Sequence, residues 1–227
     1  MILLLLAALW LQPFEPLYRQ AVEMREKQHG PNHFKVAEAL TKLGLYLRNE
    51  GKREKAIAPL RRALSIRETA AALDNLASVL PREEALKLYE RSLKLDENAA
   101  TLDKIATLLE DEPARAEPYA RRALEWKRKT LGPAHADVGT ALNNLGLLLE
   151  AKGEHGEAAA RYKEALSIVA RAYGPGHPET AAVLLNLGGL TGDRAMVERA
   201  LRIFEATMGP DSEPAAAARE KLQRLTR

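Results

Sequence analysis

Residues 140–168 read TALNNLGLLLEAKGEHGEAAARYKEALSI, and this stretch decides the fold. Three leucines and a glycine share one helical face in its first part: Leu142, Leu145, Gly146 and Leu149. Small and large residues share a face in its second part: Ala158, Tyr162, Ala165 and Leu166. Lys152-Gly153 lies between the two parts, and a glycine in this position is typical of a helix end. The stretch therefore predicts two helices packed face to face, with a close approach at Gly146.

A glycine-proline turn recurs along the chain and separates units of this kind. Its copies are Gly30-Pro31-Asn32-His33, Gly132-Pro133-Ala134-His135, Gly174-Pro175-Gly176-His177 and the degenerate Gly209-Pro210-Asp211-Ser212. The second and third copies are 42 residues apart. A fixed period of this size, with two helical patterns in each period, indicates a solenoid of helix pairs. Because the histidines belong to a repeated turn, we expect them to cap or pack helices and not to catalyse.

The composition favours helix throughout the chain and excludes several kinds of site. Alanine, leucine, glutamate, arginine and lysine are abundant among the 227 residues, and no segment has the alternating pattern of a strand. There is no cysteine, which excludes disulfides, thiolate zinc sites and cysteine nucleophiles. The net charge is only +3, and basic pairs such as Arg61-Arg62 alternate with glutamates. This pattern predicts solvated helix faces and no nucleic-acid partner.

The N-terminal residues leave two interpretations open. Residues 1–11 form an uncharged apolar run that is too short to span a bilayer, which needs about 20 apolar residues. Residues 9–12 make a poor signal-peptide cleavage site, and the first basic residue is Arg19. The run aligns with the first helix of later units, which favours a buried terminal helix in a cytoplasmic protein. The alternative is that residues 1–12 are a signal or anchor segment of an exported, periplasmic or membrane-tethered structural subunit. The absence of a cap before Met1 also allows a native chain that starts further upstream.

The unit at residues 140–168 resembles the tetratricopeptide repeat. The signature positions of that family fall on Leu145-Gly146, Leu149, Ala158, Tyr162 and Ala165, and again on Leu43-Gly44, Leu47, Ala56, Leu60 and Ala63. The long period, the Gly-Pro-x-His turn and the sequence LNNLG at residues 142–146 are similar to the kinesin-light-chain type of the repeat. The resemblance implies an all-α fold, an α-α superhelix that winds as a right-handed solenoid. About six helix pairs and a C-terminal capping helix account for the chain.

We expect one solenoid domain over residues 1–227. The predicted repeats cover approximately residues 1–29, 33–68, 69–96, 98–130, 135–172 and 178–208, and the capping helix covers residues 212–227. The sequence predicts shortened middle repeats, at 69–96 and 98–130, because their inner turns are reduced. It also predicts a cropped second helix in the repeat at 178–208.

The resemblance places the candidate binding residues on the first helix of each repeat, which lines a concave groove. The residue before each Leu-Gly-type pair is expected to face the groove: Lys42, Asn75, Lys104, Asn144 and Asn186. A second exposed position is expected beside each: Thr41, Asp74, Asp103, Asn143 and Leu185. Asparagine is a poor helix former, so three asparagines at one repeat position call for a reason. Either their amides pair with the backbone of an extended ligand, as the resemblance implies, or they bond the adjacent repeat and shape the solenoid.

These residues predict a non-catalytic protein-protein interaction module that binds an extended peptide or partner segment. The lysines would attract carboxylates of the partner, whose identity the sequence does not give. The sequence contains no catalytic constellation, no pair of histidines with metal-ligand spacing on one helix and no phosphate-binding glycine loop. We therefore expect no metal, no cofactor and no stable membrane span. Self-association through the N-terminal helix pair is a further expectation.

Overall fold

The computed structural model describes residues 14–225, and twelve α-helices account for most of them. In chain order these are α1 (Glu15–His29), α2 (Phe34–Asn49), α3 (Arg53–Ile66), α4 (Ala70–Ala77), α5 (Arg82–Leu95), α6 (Ala99–Leu108), α7 (Pro113–Leu131), α8 (Ala136–Ala151), α9 (His155–Tyr173), α10 (Pro178–Thr191), α11 (Arg194–Met208) and α12 (Glu213–Arg224). No strand occurs within this range. The two interpretations of residues 1–12 lie outside the described residues.

The chain divides into two compact units, with the boundary between Glu97 and Asn98. In the first unit α2 pairs with α3 and α4 pairs with α5, while α1 packs on α2 and α3 packs on α4. In the second unit the pairs are α6 with α7, α8 with α9 and α10 with α11, and neighbouring pairs pack through α7 on α8 and α9 on α10. Each unit is therefore an all-α solenoid of helix pairs, as the sequence predicts. The assignment of one domain to the whole chain stays a prediction.

The helix α12 packs against the last pair of the second unit. Its alanines Ala215 and Ala218 are buried with Phe204 of α11 and Leu184 of α10 in one apolar cluster. The opposite face of α12 carries charged residues, among them an exposed Arg224–Glu220 ion pair. The helix thus has the apolar inner face and polar outer face of a capping helix.

The repeated turn begins three first helices in the same way. The Nδ1 atoms of His33, His135 and His177 accept hydrogen bonds at 3.2–3.3 Å from the backbone N–H two residues later. The glycine that opens each turn has a φ of 84° to 96°, in the left-handed region that glycine adopts without strain. The prediction that these histidines cap helices is confirmed.

The helices α8 and α9 approach each other closely at Gly146. A Cβ atom on Gly146 would lie 2.4 Å from the ring of Tyr162, which is fully buried. The Tyr162 hydroxyl donates to a carboxylate oxygen of Glu150 at 2.8 Å, which fixes the ring. Gly44 stands in the same relation to Leu60 in the first unit, also at 2.4 Å. The close approach predicted at Gly146 is therefore confirmed, and the structure shows the same approach at Gly44.

The middle repeats are shortened in their first helices and not, as predicted, in their inner turns, which cover residues 78–81 and 109–112 and are longer than those at 50–52 and 152–154 of the full repeats. The helices α4 and α6 have 8 and 10 residues, whereas α2 and α8 each have 16. The prediction of a cropped second helix after α10 is wrong. Helix α11 has 15 residues, and the Asp193 carboxylate caps its N-terminus by accepting from the backbone N–H of Met196 at 3.1 Å. Its buried residues Val197, Ala200 and Phe204 continue the helical spacing to the end.

Candidate functional site

The nine residues predicted to bind a partner all lie on first helices. They are Thr41 and Lys42 on α2, Asp74 and Asn75 on α4, Asp103 and Lys104 on α6, Asn143 and Asn144 on α8, and Asn186 on α10. Lys42, Lys104 and Asn144 are exposed, and Asp74 is buried. The remaining five are partly buried. Two surface cavities, each between two successive first helices, contain five of the nine.

The first cavity lies between α2 and α4 and is called the α2–α4 cavity. It has a volume of about 430 Å³ and brings together Thr41, Lys42 and Asn75. Arg67 and Glu38 also line it, and neither was predicted as a site residue. Since two cationic groups face one carboxylate here, the cavity carries a net positive charge.

The second cavity lies between α6 and α8 and is called the α6–α8 cavity. It has a volume of about 280 Å³ and contains Asp103 and Asn144, but not Lys104. The Oδ2 atom of Asp103 accepts from the Nζ atom of Lys127 on α7 at 2.6 Å. Glu110, in the turn after α6, adds a second carboxylate to the lining. The sequence signal for Glu110 was weak, because it belongs to an acidic run at residues 110–112 that is typical of a solvated loop.

The asparagines differ in their hydrogen bonding. The Nδ2 atom of Asn186 donates to the Oδ1 atom of Asn143 at 2.9 Å, which links α10 to α8. For Asn186 and Asn143, this bond supports the interpretation that the asparagines bond the adjacent repeat. The amides of Asn75 and Asn144 make no hydrogen bond to any residue between 14 and 225. These two amides therefore face solvent with their donors and acceptors available to a ligand.

Asp74 departs from the prediction that it is an exposed groove residue. Only 8% of it is exposed, and it does not line the α2–α4 cavity. Burial and the nearby Asp74 carboxylate raise the pKa of Tyr89, which is itself buried on α5. The carboxylate thus lies toward α5 and inside the repeat, because Asp74 shares a helical face with the buried Ala77 three residues later.

Charged residues of α7, α9 and the turn after α8 form a network on a different face of the second unit. Arg121 of α7 donates to Glu117 at 2.6 Å and to Glu157 of α9 at 3.0 Å. Lys152 also pairs with Glu117, and Arg161 with Glu157. The hydrogen bonds from Arg121 and Arg161 lower the pKa of Glu157 to about 2, and those from Lys152 and Arg121 lower the pKa of Glu117. The network joins two successive repeats through the ionised carboxylates.

Acidification is expected to remove the stabilisation that Glu157 contributes. Its pKa is about 2 in the folded protein and 4.5 without its partners, so ionised Glu157 favours the folded state. This contribution is present above about pH 5 and is lost as the pH falls toward 2. We expect Glu157→Gln to lower the urea midpoint at pH 7, and the difference from wild type to shrink at pH 3. The control is Glu125→Gln. Glu125 is an exposed residue of α7, and its carboxylate forms no ion pair among residues 14–225. A difference that is as large at pH 3 as at pH 7 would contradict the assignment.

Between residues 14 and 225, no cluster of three or more histidine, aspartate or glutamate side chains is arranged to hold a metal ion.

Comparison with known proteins identifies a family and a relative that match parts of the repeat array. A family model described as tetratricopeptide repeat matches residues 15–69 and 98–171. The Arabidopsis thaliana protein KINESIN LIGHT CHAIN-RELATED 2 is 33% identical over 85 residues, a match that spans 37% of this chain and 13% of the relative.

Two solved structures are similar in fold. BtubC (BKLC) from P. vanneervenii has a TM-score of 0.70 and 24% identity, and the match covers 88% of this chain and 93% of that one. YrrB, described as a TPR protein with an unusual peptide-binding site, has a TM-score of 0.61 and 21% identity, over 88% of this chain and 98% of that one.

Proposed function

Because the chain belongs to the tetratricopeptide repeat family, a family of protein-protein interaction modules, we propose that it binds an extended peptide segment of a partner protein without catalysis. The segment would lie in a cavity between successive first helices, either the α2–α4 cavity of the first unit or the α6–α8 cavity of the second. The observation that carries this proposal is the position of the α2–α4 and α6–α8 cavities, which contain Asn75 and Asn144 at equivalent repeat positions.

The two amides are suited to hold the backbone of an extended segment. An asparagine side chain offers both a carbonyl acceptor and an NH₂ donor, which match the N–H and C=O groups of one peptide unit. An extended segment exposes these backbone groups, since it has no internal hydrogen bonds. Asn75 and Asn144 make no competing bond within residues 14–225, so binding costs no protein hydrogen bond.

The positive charge of the α2–α4 cavity supports selection of an acidic residue there. Lys42 and Arg67 both line this cavity, and neither forms an ion pair with the described residues. A carboxylate of the partner segment would gain charge-assisted hydrogen bonds from them. Lys104, in contrast, lies outside the α6–α8 cavity, and its contribution to binding stays a prediction.

Two further inferences from the sequence stay predictions, namely the cytoplasmic location and self-association through the N-terminal helix pair. None of the helices between residues 14 and 225 has the length and apolar character required to cross a bilayer.

Binding is expected to weaken when the two amides are removed. The probe is a peptide selected from a phage-displayed library of random dodecapeptides on the immobilised wild-type protein. Asn75→Ala combined with Asn144→Ala should raise its Kd about tenfold, since one or two hydrogen bonds are lost at about 1 kcal/mol each. Isothermal titration calorimetry measures the Kd, and thermal unfolding by circular dichroism measures stability.

The control for this experiment is Asn32→Ala, an exposed asparagine in the turn before α2. Its Kd should equal that of wild type. The proposed function is contradicted if the double variant binds the peptide as tightly as wild type, or if the library yields no peptide that binds the wild-type protein.

A further inference from the structure

The α6–α8 cavity has the size and apolar walls of a pocket for one long side chain. Alanines from three helices form much of its wall, namely Ala106, Ala120 and Ala141, and Leu147 and Leu148 of α8 complete it. Its volume of about 280 Å³ is just below the range of about 300–1,000 Å³ typical of small-molecule sites. A single extended side chain is therefore a better match than a cofactor.

The charge of this cavity is negative. Its lining contains the carboxylates of Asp103 and Glu110 and no lysine or arginine. Lys127 neutralises Asp103 from α7, where the side chain of Lys127 is only 12% exposed. Glu110 forms no ion pair and no side-chain hydrogen bond with residues 14–225. One carboxylate at the cavity mouth is thus left without a counter-charge from the described chain.

We propose that the α6–α8 cavity binds a lysine or arginine side chain of the partner segment, with the cationic group at Glu110 and the aliphatic stem against the alanines and leucines. This inference rests on the proposed function. Lysine and arginine combine an apolar stem with a cationic head. The stem matches the apolar wall of the cavity, and the head matches the Glu110 carboxylate. The Thr107 hydroxyl and the Asn144 amide oxygen are additional acceptors in the lining.

The α6–α8 cavity would then select a basic residue, whereas the α2–α4 cavity would select an acidic one. Lys42 and Arg67 give the α2–α4 cavity a positive charge, whereas Glu110, which has no ion-pair partner among residues 14–225, gives the α6–α8 cavity a negative charge. The two cavities should therefore select residues of opposite sign. This difference provides an internal comparison, because a general attraction to charged peptides would affect both cavities alike.

The test repeats the library selection on wild type, Glu110→Gln and Glu110→Lys, with Glu125→Gln as a matched control on α7. Peptides selected on wild type and on Glu125→Gln should be enriched in lysine or arginine at one position. We expect Glu110→Gln to bind these peptides about tenfold more weakly, the value of one charge-assisted hydrogen bond. Peptides selected on Glu110→Lys should have an acidic or neutral residue at the position that is basic in peptides selected on wild type. Because Glu110 is exposed, these variants should fold with unchanged thermal midpoints.

The outcomes separate this inference from the proposed function. If wild type selects peptides that depend on Asn75 and Asn144 but lack a basic position, the inference is wrong and the proposed function stands. It is also wrong if the basic position is present and Glu110→Gln and Glu110→Lys bind as wild type does. If wild type selects no peptide, both the inference and the proposed function are overturned.

Discussion

Tyr162→Ala is expected to destabilise the protein by about 3–5 kcal/mol, the range for truncating a large buried aromatic side chain. Tyr162 is fully buried between α8 and α9, and its ring lies against Gly146. Burial and the hydrogen bond to Glu150 raise the pKa of Tyr162, so its hydroxyl stays protonated and donates to Glu150 at neutral pH. Truncation leaves a cavity and removes the hydrogen-bond partner of Glu150. Urea denaturation followed by circular dichroism measures the loss.

The control for this variant is Tyr173→Ala, at the exposed end of the same helix. Tyr173 is 43% exposed and its ring stacks on the turn residue His177. Its replacement should cost less than about 1 kcal/mol, because little area is lost from the core. If Tyr162→Ala were no more destabilising than Tyr173→Ala, the packing of this repeat on Tyr162 would be contradicted.

Gly146→Leu should destabilise by about 3 kcal/mol, at the upper end of the range for overpacking. A Cβ atom at this position would already lie 2.4 Å from the Tyr162 ring, which its hydrogen bond holds in place. The helix propensity of leucine recovers less than about 1 kcal/mol of this cost. The thermal midpoint should fall by about 6–12 °C, since 1 kcal/mol corresponds to about 2–4 °C in a domain of this size.

Two comparisons make the Gly146 prediction specific. Gly156→Leu, in the first turn of α9, should leave the midpoint unchanged or slightly higher, because no atom lies within 4 Å of a Cβ there. The double variant Gly146→Leu with Tyr162→Ala should cost less than the sum of the two single variants, since the leucine enters the space that the ring leaves. Strict additivity, or an unchanged midpoint for Gly146→Leu, would show that α8 and α9 are not closely packed at this point.

The helix pairs could be predicted because their determinants are local in sequence. The spacing of Leu142, Leu145 and Leu149, the small Gly146 and the turn histidines each reflect contacts within one repeat. The same holds for the positions of the candidate residues on first helices. Helix α11 is longer than predicted, because Val197, Ala200 and Phe204 continue one buried face along the helix.

The composition of the two cavities could not be predicted from the repeat pattern. Arg67 follows the end of α3 and Glu110 follows the end of α6, so neither occupies a signature position of a first helix. Both enter the lining only because neighbouring repeats pack side by side. The bond from Asn186 to Asn143 joins residues 43 apart and depends on the same stacking. Asp74 was predicted to be exposed, but it shares the buried face of α4 with Ala77.

The charges that line the two cavities differ from those that the sequence predicts for the groove. The sequence placed lysines at two groove positions and predicted a general preference for acidic partners. In the structure Lys42 lines the α2–α4 cavity, whereas Lys104 does not line the α6–α8 cavity, where the charged lining residues are carboxylates. A net charge of +3 therefore does not describe the charge at the individual cavities.

The central claim is that first helices provide the binding surface, and chemical-shift mapping tests it most directly. The backbone amide spectrum of ¹⁵N-labelled wild-type protein is recorded with and without the library-selected peptide. We expect the largest shifts at residues that line the two cavities, such as Thr41, Asn75, Thr107 and Asn144. Exposed residues of second helices, such as Lys55 of α3 and Lys163 of α9, should not shift. Shifts concentrated on α3, α7 or α9, with the cavity residues unaffected, would contradict the account.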